Sequence, residues 1–341
     1  MPSSFTQLPI IDIRGLYSDN EHERLAVAAE LKQAASDVGF MYIKGHYVPE
    51  AVIDRLLEVT REFFAQPLAR KQESYIGHSS NHSGYVPEGE EEFYSSQQGI
   101  TGTDFKESYD VGFELDDPSA QRPMLGTNQW PPLPGFKEAV LAYYHEVFQL
   151  GLDLFRGFAL ALGLPEHTFV EQCTRPPSQL RMVHYPFNAQ AVDRQGIGAH
   201  TDYECFTLLL PTADGLEVLN GDGVWIDAPV KPGCYVVNVG DMLELLSNGR
   251  FVATSHRVRK VKEERYSFPL FCSLDYDTVV KPILPPLSEA PADQYQPLVC
   301  GDHLYAQTIH TFRYMKKRLA EGKIQLPDSS KALASFGKHA Q

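Results

Sequence analysis

Gly198-Ala199-His200-Thr201-Asp202-Tyr203 lies among short β-rich runs, and its reading decides the fold. A strand turns residues i and i+2 to one face, so His200 and Asp202 are expected to point together at a single ion. His256, in a later β-patterned segment, would complete two imidazoles and one carboxylate. That facial set suits Fe(II) and leaves positions open for a co-substrate and O₂. Farther on, Arg265 and Ser267 again stand i and i+2, where a guanidinium fork and a hydroxyl can clamp a carboxylate. A lone His-x-Asp recurs by chance. The ordered set of His-x-Asp, His and Arg-x-Ser within β-patterned sequence is far more specific.

Around that stretch, β-rich runs at 182–185, 206–210, 216–218, 224–226, 234–239, 257–261 and 266–273 alternate with turn signals such as Asp214-Gly215 and Asn220-Gly221-Asp222-Gly223. Many short strands with the metal motif among them predict a sandwich or jelly roll rather than a parallel sheet. Upstream, 8–13 and 40–43 read as strands. Residues 21–38 read as a helix with Leu25, Ala28, Ala29, Leu31 and Ala35 facing inward, and 49–64 as a second. Residues 136–162 form the clearest helix, with an apolar stripe broad enough to cover a sheet. Residues 74–102 show no clear period and read as a long surface loop or short irregular strands, and 302–319 as a closing helix. The expectation is one domain over 1–341: an N-terminal region (1–130), a β core (175–280) and a C-terminal helix (300–320). The fold class is mainly β with flanking helices (α+β) around a jelly-roll core.

The formal charge of −14, with scattered basic residues, argues against nucleic acid or an anionic membrane as partner. No apolar run approaches the roughly 20 residues of a membrane helix. Residues 1–7 have neither a basic nor an apolar leader region, so no secretory signal is expected. Five dispersed cysteines without a Cys-x-x-Cys suggest reduced thiols and a cytoplasmic location. The partner expected is a small-molecule substrate; the oligomeric state is left open.

At these motifs the chain resembles the isopenicillin N synthase-like group of Fe(II)/2-oxoglutarate-dependent dioxygenases. The resemblance runs over Leu8-Pro9-Ile10-Ile11-Asp12, the stretch 38–46, Asp104-Phe105-Lys106-Glu107-Ser108 and Asn128-Gln129-Trp130-Pro131. Residues 197–203 are similar to the same stretch in the bacterial ethylene-forming enzyme and its relatives. The resemblance implies a double-stranded β-helix with His200, Asp202 and His256 as iron ligands. Arg265 and Ser267 would hold the distal carboxylate of 2-oxoglutarate, with the Tyr185 phenol beside them and Arg181 a further candidate for that pocket. Val183 stands where plant members often carry Asn. Oxidative decarboxylation of 2-oxoglutarate would yield succinate and CO₂ while the substrate is hydroxylated or desaturated.

Two other readings fit the residues less well. An isopenicillin N synthase-type oxidase would spend Arg-x-Ser on its substrate, but Tyr185 beside the pair favours 2-oxoglutarate. A jelly-roll binding protein without turnover would not need both ligand set and clamp. The stretch 84–91 is similar to a glycine-tyrosine loop near the substrate in the ethylene-forming enzyme. There Glu91 is expected to face a substrate bearing positive charge, on a lid spanning 77–102, against the blander expectation that Glu88 to Glu92 are merely solvated. The remaining histidines, His82 among them, read as structural or exposed.

Overall fold

The computed structural model describes residues 2–92, 106–186, 197–259, 263–287 and 295–330. The chain enters through β1 (Ile10–Asp12), α1 (Glu21–Asp37) and β2 (Phe40–Lys44). Asn20 caps α1 by accepting the His22 N–H. At its other end Gly39 takes φ +72° and donates to the Ala34 carbonyl. A Cβ there would lie 2.2 Å from the Val252 carbonyl oxygen, so this helix exit admits only glycine. The inward stripe of α1 is Val27, Ala28, Leu31, Ala34 and Ala35, whereas Leu25 and Ala29 are exposed.

After α2 (Glu50–Phe64) and the short α3 (Leu68–Lys71) comes the region read as a long loop or short irregular strands; it forms the short β3 (Gly84–Val86), paired with β4 (Glu107–Gly112). A three-residue strand carries too few positions for a period to register in sequence. Tyr85 and Tyr109, directly opposite each other in that pair, are both buried. The long α4 (Phe136–Ala161) follows, burying Val140, Tyr143, Val147, Leu150, Leu154 and Phe158. The β-rich half then runs β5 (Gln179–Tyr185), β6 (Ile197–His200), β7 (Phe206–Pro211), β8 (Leu216–Leu219), β9 (Trp225–Asp227) and β10 (Tyr235–Val239). It continues through α5 (Asp241–Leu246), which sequence reasoning missed, β11 (His256–Val258) and β12 (Arg265–Cys272). A small β13 (Val279–Val280) and β14 (Leu298–Val299) pair precedes α6 (Cys300–Thr311) and α7 (Arg313–Ala320).

Among the described residues twelve strands make two sheets: a large one ordered β1-β2-β10-β7-β12-β5-β4-β3, and a small one ordered β6-β11-β8-β9. One face of the large sheet, with Met41, Ile43, Tyr235 and Val237, joins the core that includes α1, α2 and α4. On the other face Phe40, Tyr42 and Val236 meet Leu216 and Val218 of the small sheet. Strands covered on both faces lose polar alternation, which is why β10 reads as a near-continuous apolar run. The architecture is the expected jelly roll with flanking helices.

The predicted closing helix is two helices. Phe312 takes extended angles between them. There the acidic segment docks: the Glu92 N–H donates to the Thr311 carbonyl, and the Arg313 N–H to the Glu90 carbonyl. All five cysteines are free thiols, four of them buried. No described helix is long and apolar enough to cross a membrane.

Candidate active site

His200 ends β6 and His256 begins β11, and the antiparallel register sets the two residues opposite each other. Asp202 is not on the strand face that the i, i+2 argument assumed. It lies just past the end of β6, in the turn that carries the chain from the small sheet to the large one. The ligand atoms of the three side chains nonetheless lie within 4.8 Å of one another, with Asp202 Oδ1 at 3.6 Å from Nε2 of each histidine.

Hydrogen bonds behind the triad fix which atoms face inward. His200 Nδ1 is 2.8 Å from the Gly198 carbonyl and His256 Nδ1 is 3.2 Å from that of Thr254. Donation from Nδ1 leaves the Nε2 lone pairs turned to Asp202, the tautomer a metal requires. Asp202 Oδ2 accepts from Thr207 Oγ1 (2.5 Å) and Asn238 Nδ2 (2.6 Å), so Oδ1 is the oxygen that faces the imidazoles. Thr207 and Asn238 are opposite partners in the β7–β10 pair. The small sheet thus supplies the histidines and the large sheet grips the carboxylate. Gly240 closes the turn from behind: the Asp241 N–H donates to the Asp202 carbonyl, and a Cβ on Gly240 would meet the Glu204 carbonyl oxygen at 2.2 Å.

Burial and the neighbouring His256 push the His200 imidazole down to about 4, so it is neutral at physiological pH. Burial opposes ionisation of Asp202, but His256, His200 and the two hydrogen bonds outweigh it and lower its pKa. A neutral His200 imidazole beside an ionised carboxylate suits the donor set that a divalent iron takes.

Arg265 opens β12 directly opposite Tyr185 on β5, and its guanidinium lies 4.8 Å from the Tyr185 ring centre. Ser267 follows opposite Val183. All three side chains are buried. Arg265 Nε donates to the Ala213 carbonyl, while its buried Nη1 has no hydrogen-bond partner among the described residues. A buried cation with an unfilled donor fits an anionic ligand.

Arg181 is not part of that group. It binds Asp110 through Nε and Nη2 (2.7 to 3.1 Å) and pairs with Glu91 at 2.9 Å. It lines a cavity of about 90 Å³ beside the triad, together with His200, Asp202, Glu204, Glu91 and His82. Glu91 is neither solvated nor waiting for a charge: Lys106 bonds it at 2.7 Å and it is 4% exposed. Burial raises its pKa, yet Arg181 and Lys106 pull it down to about 2. Glu92 pairs with Arg313 and Lys316, and Glu90 accepts the Tyr314 N–H, so Glu90 to Glu92 are structural, while Glu88 is exposed. The proposed lid is tied down through residue 92; residues 93–102 lie outside the described chain, as do Asp104 and Phe105.

The comparisons agree with this geometry. Residues 8–133 match the N-terminal family of the non-haem dioxygenase in morphine synthesis, and residues 176–274 match the 2OG-Fe(II) oxygenase superfamily. A 2-oxoglutarate-Fe(II) type oxidoreductase of Emericella nidulans, hxnY, is 33% identical over 335 residues, covering 93% of this chain and 94% of that protein. This chain belongs to the 2OG-Fe(II) oxygenase superfamily. A homoarginine-6-hydroxylase of Glycine max is 32% identical over 334 residues, with 92% and 99% of the two chains covered. A full-length Neurospora crassa protein solved in complex with alpha-KG superposes with a TM-score of 0.77 at 25% identity, over 93% of this chain and 98% of its own. The oxygenase is an Fe(II)- and 2-oxoglutarate-dependent enzyme that uses O₂ to oxidise a small molecule, releasing succinate and CO₂.

Four residues of the oxygenase escaped the sequence reading. Thr207 and Asn238 looked like ordinary strand residues, and only their pairing brings both to Asp202. Glu204 stood in view two residues past Asp202, but a carboxylate there had no motif to mark it. His82 is 2% exposed, with its Nδ1 2.6 Å from the Tyr314 hydroxyl and its ring against Phe312. Burial pushes that imidazole down to about 3. Its partners lie too far along the chain for local pattern to reveal.

Proposed function

We propose that His200, Asp202 and His256 are the iron ligands of this oxygenase, that Arg265 with Ser267 and Tyr185 holds the far carboxylate of 2-oxoglutarate, and that the cavity beside the triad receives the primary substrate. The observation that carries the reading is the commitment of the back atoms: both Nδ1 atoms and Asp202 Oδ2 are bonded away, so the three ligand atoms converge. The unfilled Nη1 of Arg265 supports the co-substrate assignment. Arg suits this role better than Lys because its planar fork matches a carboxylate.

Bound iron and 2-oxoglutarate supply the oxidising chemistry. The chain's own groups hold the imidazoles in one tautomer, orient the carboxylate, neutralise the distal end of the co-substrate and wall off water. The substrate class favoured is a small nitrogen-bearing metabolite. Homoarginine in the name of the Glycine max relative supports it. Residues 197–203 and 84–91 favour kinship with the bacterial ethylene-forming enzyme, which an ethylene assay run beside succinate detection checks. The main apolar cluster, which contains residues from Ile11 to Leu304, supports one domain, and five free thiols suit the cytoplasm.

Anaerobic addition of 2-oxoglutarate to the Fe(II) protein should produce a visible charge-transfer band that saturates at one equivalent per chain. Readmitting O₂ with substrate should release succinate. A protein that binds Fe(II) but gives no band would remove 2-oxoglutarate from the site.

A further inference from the structure

His82 is fixed both at its backbone and at its ring. Its φ of +59° is left-handed, a strained conformation for a residue with a Cβ, which persists only where the surroundings impose it. Ser79 Oγ accepts the N–H groups of Asn81 and Ser83 on either side of it, and Gln179 Nε2 donates to its carbonyl at 2.7 Å. The imidazole packs edge to face on Phe312, with ring centres 4.4 Å apart.

Only one edge of that imidazole is spent. Nδ1 meets the Tyr314 hydroxyl at 2.6 Å, and the hydroxyl has no other hydrogen-bond partner among the described residues. A phenol bonded only to a ring nitrogen donates its proton there, since the reverse arrangement would leave the O–H unfilled. Burial keeps the ring neutral at physiological pH. With Nδ1 accepting, the one ring hydrogen of a neutral imidazole sits on Nε2. That nitrogen is buried and has no partner among the described residues. Tyr314 lines a separate cavity of about 280 Å³ and is absent from the wall of the one beside the triad, whereas His82 lines both. The spent edge of the ring therefore faces away from the triad, and the Nε2 edge belongs to the cavity that His200 and Asp202 also line.

We infer that the Nε2–H of His82 is a substrate-binding donor, and that the primary substrate presents a carbonyl or carboxylate oxygen to it. This rests on the proposed function and specifies its substrate. A donor held in one direction beside the iron ligands orients the substrate and so selects which of its carbons lies nearest the triad. A buried N–H without an acceptor is costly, so a molecule lacking that oxygen is rejected.

The test separates the two ring nitrogens. Asn and Gln place an amide near the positions of Nδ1 and Nε2 respectively, so His82→Asn keeps a partner for Tyr314 and loses the donor, and His82→Gln does the reverse. Each is compared with the wild type as the Fe(II)·2-oxoglutarate protein without O₂. Two probe pairs differ in an acceptor oxygen: L-homoarginine against its decarboxylated amine, and pentanamide against pentylamine. Binding is read by calorimetry and by perturbation of the charge-transfer band. In at least one pair the oxygen-bearing member should bind the wild type about fivefold or more tightly, the lower bound for filling a buried unpaired donor. That preference should persist in His82→Gln and fall to about twofold or less in His82→Asn, while 2-oxoglutarate binds all three proteins alike. A merely structural His82 would give the opposite order, because Asn suits both the left-handed backbone and Tyr314. Independently of either variant, nitrogen NMR of histidine-labelled wild type should show the His82 ring protonated at Nε2. Protonation at Nδ1, no preference in the wild type, or a preference that survives in His82→Asn or is lost in His82→Gln overturns the inference. Absence of the 2-oxoglutarate band in the wild type would instead overturn the underlying reading.

Discussion

The two halves of the site are built in different ways. The half assigned to iron and co-substrate stands on regular strand positions: a cross-strand histidine pair, a carboxylate gripped by two paired strand residues, and Arg265 opposite Tyr185. The half facing the substrate is assembled from pieces far apart in the chain. His82 meets Tyr314, the acidic run 90–92 docks at the break between α6 and α7, and Arg181 ties β4, β5 and Glu91 together. The first half is set by strand register, which fixes side-chain direction over several residues at once. The second is set by buried polar pairs, each of which can be exchanged separately. A superfamily that keeps one chemistry and varies its substrates needs that division.

The largest expected effect breaks the first half. His256→Ala removes one of three ligand atoms and an edge-on ring contact with the core residue Phe40, so it should abolish succinate release and the charge-transfer band while far-UV circular dichroism changes little and the denaturation midpoint falls modestly. Full turnover at saturating Fe(II) would remove His256 from the ligand set.

Next comes the clamp. Truncating one member of a buried charge pair costs about 2–5 kcal/mol, or roughly 30- to several thousand-fold in an equilibrium constant. Arg265→Ala should therefore weaken 2-oxoglutarate binding by at least the lower figure, read from the anaerobic titration. An unchanged curve would hand Arg265 to the substrate and revive a synthase-type oxidase.

The corresponding change in the second half should act on folding. Glu91→Gln leaves Lys106 and Arg181 short of a buried partner, and breaking such a pair costs about 3–5 kcal/mol. The pH dependence follows from its direction. The Glu91 carboxyl is held near 2 in the folded chain against an ordinary value of 4.5, so its contribution is present above 4.5 and is lost as pH falls toward 2. Wild-type protein should lose stability across that window, and Glu91→Gln should start lower and lack this part of the loss. Equal urea midpoints at neutral pH would show Glu91 to be dispensable to the fold.

The same division explains what sequence could reveal. Strand runs, the long α4 and the His200–Asp202 pair were legible because spacing within one segment carries them, and His256 through the order in which it follows them and precedes Arg265-x-Ser267. His200 and Asp202 were matched correctly as a pair on a mistaken ground, since Asp202 sits in a turn and converges by the pull of Thr207 and Asn238. Arg181 was read toward the co-substrate because it stands two residues before Val183, yet Asp110 and Glu91 hold it at the other end of β5 from Tyr185. The β3–β4 pair, the docking of residues 90–92 and the break at Phe312 depend on contacts across more than two hundred residues in the last two cases. No local pattern encodes them.

The smallest effect tests whether strand register tunes the metal as well as placing it. Thr207→Val keeps a β-branched residue of nearly the same shape in β7, so the sheet should be undisturbed. It removes one of the two hydrogen bonds on Asp202 Oδ2 and leaves the other, from Asn238. Outer partners of metal ligands are worth about 10- to 100-fold in metal affinity when lost. With Asn238 still in place the lower end applies: Fe(II) should bind about tenfold more weakly, while 2-oxoglutarate affinity at saturating Fe(II) stays unchanged because Arg265 is untouched. The split between the two constants is what matters. A loss in both would mean that β7 positions the clamp as well, through its pairing with β12, and that the two ligand sites of the first half are one mechanical unit. A loss in neither would mean that Asn238 alone orients Asp202, and that the large sheet's grip on the carboxylate passes through β10.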